Sequence, residues 1–308
     1  MATTTAELAG ILRGYCREVR QQEPLRKHVS FRIGGPADIL LMPRSVEELR
    51  NAAGYLFRES IPFVVLGAGS NVLISDLGIR GVVIKIGKGL DRVVFRDATV
   101  TAEAGAGLPH LAREAARAGL SGLEFAAGIP ASVGGAVVMN AGAHGHAMQD
   151  IVRAVRILAP DGERVLDRSA LGYAYRTSTL QRGPAVVLEA TLQLTPGDAD
   201  LVRRRTEEWL RQRGETQPIG PPSSGCVFRN PVGDHAGRLI DAAGAKGLQV
   251  GGARVSEIHA NYILNAGAAT AGDVLELMDK VSRAVMEKFG VTLEPEIKFL
   301  GEFRQQQS

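Results

Sequence analysis

The stretch VLGAGSNVLISD, Val65–Asp76, decides how the chain is read. A β-branched run leads into Gly67 and Gly69, which begin the G-x-G-x-x-G pattern of dinucleotide-binding turns. The third glycine position is taken by Val72, and "NVLI" keeps the apolar, branched character of a strand. A Rossmann turn needs that third glycine and a helix N-terminus behind it. Lacking both, the stretch reads as strand–turn–strand. With two glycines, Ser70 and Asn71, such a turn either presents a nest of backbone N–H groups to an anion or is a plain β-turn.

Outward from this turn, strand and helix signals are mixed without strict βαβ alternation, so the fold class is α+β. Ser45, with Glu48 three residues on, marks a capping box before the helix "SVEELRNAAGYLFRES". "GVVIKI", "RVVF", "IVRAVRIL" and "AVVLEATLQL" read as strands, and "LPHLAREAARAG" as a short helix stopped by Gly119. Pro196-Gly197 is the expected domain boundary. Beyond it come a charged helix, "DADLVRRRTEEWLRQR", and a long loop, "GETQPIGPPSSG". A strong helix then starts at Thr270, with Asp273 as capping partner, and ends at Gly290. Its apolar positions Val274, Leu277, Met278, Val281 and Val285 follow the 3.6-residue period. The chain closes on the strand-like "TLEPEIKFLG".

The chain has 308 residues, 45% hydrophobic and 22% charged, which suits two or three globular units. Aromatics are 5% and glycines number 37, so tight turns and close backbone approaches outweigh stacking surfaces. A net charge of +3 is too mild for a nucleic-acid footprint but fits a small anionic ligand. Cys16 and Cys226 have no CxxC partner, which excludes a disulfide framework or a zinc cluster. The N-terminus carries Glu7 and no long apolar run, so it reads as an amphipathic helix rather than a signal peptide. No apolar stretch approaches the roughly 20 residues of a membrane span. A cytoplasmic protein with no membrane insertion is expected, and no protein partner is readable.

A second glycine-rich segment, Gly128–Gly145, leaves much backbone bare at Gly128, Gly134, Gly135, Gly142 and Gly145. That costs entropy on folding, and a large planar group or a pyrophosphate lying against it would offset the cost. His144 and His146 lack a third ligand nearby, so no metal is expected.

Eight ordered blocks of this sequence resemble the UDP-N-acetylenolpyruvoylglucosamine reductase family over His28–Gly301. They are "FRIGGPAD", "VLGAGSNVLISD", "GLSGLEFAAGIPASVGGAVVMNAGAHG", "YAYRTS", "TQPIGPPSSGCVFRNP", "AGAKG", "SEIHANYILN" and "FGVTLEPEIKFLG". The resemblance implies an FAD-binding fold of the p-cresol methylhydroxylase type, with a smaller C-terminal α+β substrate domain. The expected division is 1–196 for FAD, in subdomains of about 1–86 and 87–196, and 197–308 for substrate. It also implies the chemistry: NADPH reduces non-covalent FAD, and the flavin reduces UDP-N-acetylglucosamine enolpyruvate to UDP-N-acetylmuramate, a bacterial peptidoglycan precursor. Arg176 and Cys226 are 50 positions apart with no tyrosine between them, as in the shorter class of the family.

The resemblance carries Gly67, Ala68, Gly69, Ser70, Asn71, Val72, Ile129, Ala131, Ser132, Gly134, Gly135, Asn140 and Gly142 over as FAD contacts. Tyr175, Arg229, Asn230, Lys246 and His259 carry over as substrate contacts, and Arg176, Cys226 and Glu296 as catalytic residues. The chemistry suits them. Hydride delivery to C3 of the enolpyruvyl group leaves charge at C2 and needs a proton donor there. Arginine stays protonated and offers a planar donor fork to the carboxylate. A thiol, with an ordinary pKa of about 8.5, is a far better acid than an alcohol. A neighbouring cation such as Arg229 would favour the thiolate, a poorer donor. Glu294 and Glu296 fall on one face of a regular strand, so spacing does not separate them, and the motif favours Glu296.

Several residues keep alternative readings. Arg203, Arg204, Arg205, Arg211 and Arg213 read as a solvated helix face from which one or two could reach a pyrophosphate. Gly214–Gly225 is a candidate lid. His28 lies where some related flavoproteins attach flavin covalently. An alcohol or sugar oxidase of the same flavin fold, a non-catalytic flavin- or nucleotide-sugar-binding protein, and an acyl-transfer enzyme using Cys226 with His235 or His259 are the competing readings.

Overall fold

The computed structural model describes residues 4–303. Contacts divide the chain into two compact units. The first comprises Met1–Gln21, Ile39–Ala68 and Gly81–Arg213, and the second Gln22–Asp38, Gly69–Arg80 and Gly214–Ser308.

In the first unit a five-stranded antiparallel sheet has the order Gly162–Asp167, Val152–Ala159, Val186–Gln193, Thr99–Glu103, Val93–Arg96. Strands Phe63–Leu66 and Ile79–Lys85 pair in parallel, Leu66 opposite Lys85. The helices Val46–Arg58, Leu108–Arg117 and Val133–Met139 bury their apolar faces in one core with these strands, among them Leu49, Leu56, Leu111, Val137 and Leu188. Ser45 caps its helix as read, accepting from the Glu48 N–H. The Glu48 carboxylate reaches the Arg44 N–H instead of closing the reciprocal box on Ser45. Gly119 takes φ +68° behind the helix it stops.

The charged helix runs over Ala199–Thr216, so Gly214–Thr216 are helical rather than loop. With strand Ser223–Cys226 following, the irregular stretch of the candidate lid shrinks to residues 217–222. Glycine at 214 costs only about 1 kcal/mol inside a helix, too little to end one held by its neighbours.

The second unit holds an antiparallel sheet ordered Ser223–Cys226, Tyr262–Asn265, Ala253–Val255, Gln249–Val250. Its core gathers Phe31, Leu73, Val227, Phe228, Leu239, Ile263 and the long helix Ala271–Phe289. All five periodic positions of that helix, Val274 to Val285, are buried. Thr270 and Asp273 form the expected capping box, and Gly290 closes the helix at φ +67°.

"NVLI" is a strand, Val72–Ile74, paired in parallel with Lys298–Leu300. The end of the decisive stretch has a use the sequence did not suggest: both Asp76 oxygens accept from the first N–H groups of the long helix, Ala271 at 2.9 Å and Gly272 at 3.2 Å. Asp76 is thus a second cap, delivered from a remote strand. Replacing it with alanine should lower stability by about 1 kcal/mol, read as a lower urea midpoint. Asparagine, which keeps one acceptor, should restore part of the loss.

Candidate active site

In the first unit, the Gly67 turn lies against the second glycine-rich segment. A side chain at Gly67 would meet Ser132 Oγ at 2.5 Å, so the close approach requires glycine. The Lys85 ammonium donates to the Gly67 carbonyl, and burial pushes this amine down to about 8. Nothing in the sequence beyond a lysine inside an apolar strand hinted at it.

Much of the glycine-rich segment has an internal cause. A Cβ on Gly134 would meet that of Ala104 at 2.9 Å, and one on Gly142 the His146 carbonyl at 2.4 Å. The N–H groups of Ile129, Ala131, Val133, Gly134 and Gly135 all have acceptors within the chain. Asn140, buried and left-handed at φ +45°, is likewise occupied. Its Nδ2 donates to Gln149 Oε1 and the Ala174 carbonyl, and its Oδ1 accepts from the Gln149 N–H, each at 2.9 Å. Ser132 caps the helix Val133–Met139 through the Gly135 N–H. His144 stacks on Trp209 at 4.7 Å.

Asn140 also leads to the arginine. Ala174 and Thr177 exchange two backbone hydrogen bonds, leaving Tyr175 and Arg176 as the central pair of a tight turn. Arg176 has φ +55°, a conformation that costs a side-chain-bearing residue roughly 1–2 kcal/mol. The turn is held from below. Gln181 Nε2 donates to the carbonyls of Arg176 (3.1 Å) and Val138 (3.0 Å), and Ser178 Oγ donates to Val138 at 2.7 Å. The Arg176 guanidinium sits 5.2 Å from the centre of the exposed Tyr175 ring. Strain retained by such support is a recurrent mark of functional sites. Gln181 and Ser178 were not legible as supports, because their partners are main-chain carbonyls, and Val138, which both reach, is remote in sequence.

The cations of the long charged helix are largely engaged on that helix or beside it. Arg203 pairs with Asp200, Arg211 with Glu208, and Arg205 with the buried Glu124. Arg213 lies over Gly128, where a Cβ would stand 2.5 Å from its Cδ.

In the second unit, Gly69 is left-handed at φ +71°, and a Cβ there would clash with His28 and Val29. Among the described residues, no group of the chain accepts from the N–H of Gly69, Ser70 or Asn71. Three consecutive amide donors beside a left-handed glycine are the arrangement that anion-binding nests use. The same turn touches the glutamate: Asn71 Nδ2 donates to the Glu296 carbonyl at 3.4 Å, and the Lys298 N–H to the Asn71 carbonyl at 2.9 Å.

Cys226 ends its strand opposite Tyr262, after a register shift that includes Gly225 at φ +78°. The next residues pair with the glutamate segment. Glu296 N–H donates to the Val227 carbonyl at 2.7 Å, Arg229 N–H to the Glu294 carbonyl at 2.8 Å, and Phe228 faces Pro295. Proline sits at the one position of this bridge that needs no N–H donor. The pairing is a single bridge, and the regular strand begins only at Lys298. Glu294 is exposed and Glu296 half-buried.

Of the proposed substrate contacts, Asn230 Oδ1 accepts from the Ala236 N–H, and Lys246 pairs with Asp241 at 2.7 Å. His259 Nδ1 accepts from the Asn261 N–H, and its ring meets Tyr262 edge-on at 5.0 Å. Burial first, then the Lys246 charge, hold this imidazole below the ordinary histidine range.

Residues 37–166 match the FAD binding domain family. Residues 217–300 match the C-terminal domain of UDP-N-acetylenolpyruvoylglucosamine reductase. The fold is therefore that of an FAD-containing oxidoreductase, α+β and of the p-cresol methylhydroxylase type. The reductase of Moorella thermoacetica is 47% identical over 96% of this chain and 98% of its own. That of Bacillus subtilis is 45% identical over 92% and 94%. The crystal structure of the Thermus caldophilus reductase superposes with a TM-score of 0.78 at 40% identity, covering 92% of this chain and 98% of that one. The chain belongs to the UDP-N-acetylenolpyruvoylglucosamine reductase family, in its shorter form. Its cofactors are FAD and NADPH, and its reaction is a step of peptidoglycan synthesis. Among the described residues no helix is long and apolar enough to cross a membrane.

The depressed His259 has a consequence for stability. The folded protein keeps it neutral, while the unfolded chain takes up the proton near pH 6.5. Its contribution is therefore complete above that pH and is lost as pH falls towards the folded value. His259→Gln should flatten the decline in urea midpoint between about pH 7 and pH 5 relative to wild type.

Proposed function

We propose that the chain reduces UDP-N-acetylglucosamine enolpyruvate in the cytoplasm through three residues: Arg176, Cys226 and Glu296. FAD is held non-covalently by residues within 1–196, and the substrate mainly by residues within 197–308, joined by Tyr175 and Arg176. The two family matches, 37–166 and 217–300, fall inside these ranges and support the division. The N–H groups of Gly69, Ser70 and Asn71, with no acceptor in the chain, are the donor set a flavin diphosphate requires. Bound FAD supplies the hydride chemistry, relaying it from NADPH to the enolpyruvyl group.

The protein's own residues handle charge and the proton. Arg176 pairs its guanidinium with the substrate carboxylate as negative charge develops at C2. Cys226 Sγ–H gives its proton to C2, and Glu296 orients the donor or a water beside it. Tyr175, Arg229, Asn230, Lys246 and His259 bind the UDP-sugar. Lys246 and Asn230 have intrachain partners, Asp241 and the Ala236 N–H, that they would share or exchange on binding. The observation that carries the assignment is the hydrogen bond from Glu296 N–H to Val227. It sets the glutamate against the residue next to the cysteine.

The test is anaerobic. Protein reduced with NADPH should regain its oxidised flavin absorbance when the enolpyruvyl substrate is added. Cys226→Ala should still be bleached by NADPH but fail to recover, whereas Cys226→Ser should recover slowly; normal recovery in the alanine variant would remove the cysteine from the mechanism. Glu296→Gln should abolish recovery and Glu294→Gln should not, which rapid mixing would resolve.

A further inference from the structure

Asn261 stands in the motif "SEIHANYILN", and the reaction as derived makes no use of it. It is 2% exposed, and the side chain bonds both polar groups of one peptide residue. Its Oδ1 accepts from the Phe228 N–H at 2.9 Å, and its Nδ2 donates to the Phe228 carbonyl at 2.8 Å. Its own backbone takes two more partners: the carbonyl accepts from the Val227 N–H at 2.9 Å, and the N–H donates to His259 Nδ1 at 3.2 Å.

The location gives these bonds their meaning. The ladder between Ser223–Cys226 and Tyr262–Asn265 stops at Cys226 opposite Tyr262. Two residues further on, at Phe228, the neighbouring segment has no strand to offer, and the side-chain amide of Asn261 takes its place, presenting one donor and one acceptor as a peptide would. On the other edge, Val227 and Arg229 bond the Glu294–Glu296 segment. Residues 227–229 are therefore clamped between Asn261 and the glutamate segment, with Cys226 at the start of the clamp. Phe228 is itself buried, so its N–H and carbonyl would otherwise lack partners.

We infer that Asn261 is a positioning residue for the proton-transfer step, fixing the backbone that carries Cys226 and receives Glu296. Its side-chain oxygen and nitrogen are both engaged by Phe228. The inference rests on the roles proposed above for Cys226 and Glu296, and its tests are chosen so that the two can fail separately.

Two measurements on the FAD-loaded full chain decide it. The first needs no substrate: the alkylation rate of Cys226 by iodoacetamide, followed by peptide mass spectrometry, with buried Cys16 as internal reference. Asn261→Ala should shift the Cys226 rate several-fold and leave Cys16 protected. The second is the pair of flavin half-reactions. Asn261→Ala should slow reoxidation by the enolpyruvyl substrate by about 100-fold, the effect of a small misplacement of reacting groups, while reduction by NADPH stays close to wild type.

Asn261→Asp is the rescue, and guards against an alanine variant that fails to fold. A buried carboxyl is held protonated and can still donate to the Phe228 carbonyl. Its reoxidation rate should approach wild type at low pH and fall away from it as pH rises. Wild-type rates of alkylation and reoxidation in Asn261→Ala would overturn the inference. So would equal loss of both half-reactions in step with lowered melting temperature, or an Asn261→Asp profile parallel to wild type. If wild-type protein is not reoxidised by the substrate, the proposed function fails, and the alkylation result alone still judges the positioning.

Discussion

A buried peptide group that loses its strand neighbour must find another partner or cost about 1–3 kcal/mol. That constraint acts most plainly on the segment after Cys226, where Phe228 is buried. The Arg176 turn departs from regular structure, and Asn140 and Gln181 supply side-chain partners for its Ala174 and Arg176 carbonyls. The chain after Cys226 departs from its sheet, and Asn261 supplies both partners for Phe228. The long helix of the second unit begins with exposed N–H groups, and Asp76 and Thr270 take them. In each case a short polar side chain stands in for missing main chain, so the backbone is held rigid without being a helix or a strand.

The two glycine-rich segments look alike in sequence and differ physically. Around Gly134 and Gly142 glycine is needed because other parts of the first unit lie where a Cβ would be, and the local N–H groups are spent inside the chain. Around Gly69 glycine is needed for a left-handed turn, and the N–H groups that follow remain available to a ligand.

Charge follows the same economy. The arginines of the helix Ala199–Thr216 largely meet carboxylates of that helix or of Glu124, as expected for a solvated face with local pairing. The less conventional charges are Lys85, pushed down to about 8 behind the Gly67 carbonyl, and His259, kept neutral by burial. Both lie beside segments that carry proposed ligand contacts, where a change of protonation state couples directly to the backbone.

The sequence by itself determined the elements whose signals are local. The 3.6-residue period and the Thr270–Asp273 box define the last long helix, and the absent third glycine turns Val72–Ile74 into a strand. The ordered motifs were enough to identify the family. What depends on remote partners was decided only by the tertiary structure. Asp76 has no role legible in the sequence until the helix 195 positions away arrives to be capped. Gly134 reads as a ligand-facing glycine until Ala104 fills the space beside it. Spacing does not separate Glu294 from Glu296, whereas the fold leaves the first exposed and the second half-buried. Propensity and period report what a residue does with its near neighbours, whereas hydrogen-bond partners, room for a Cβ and burial depend on chain segments that only folding brings together.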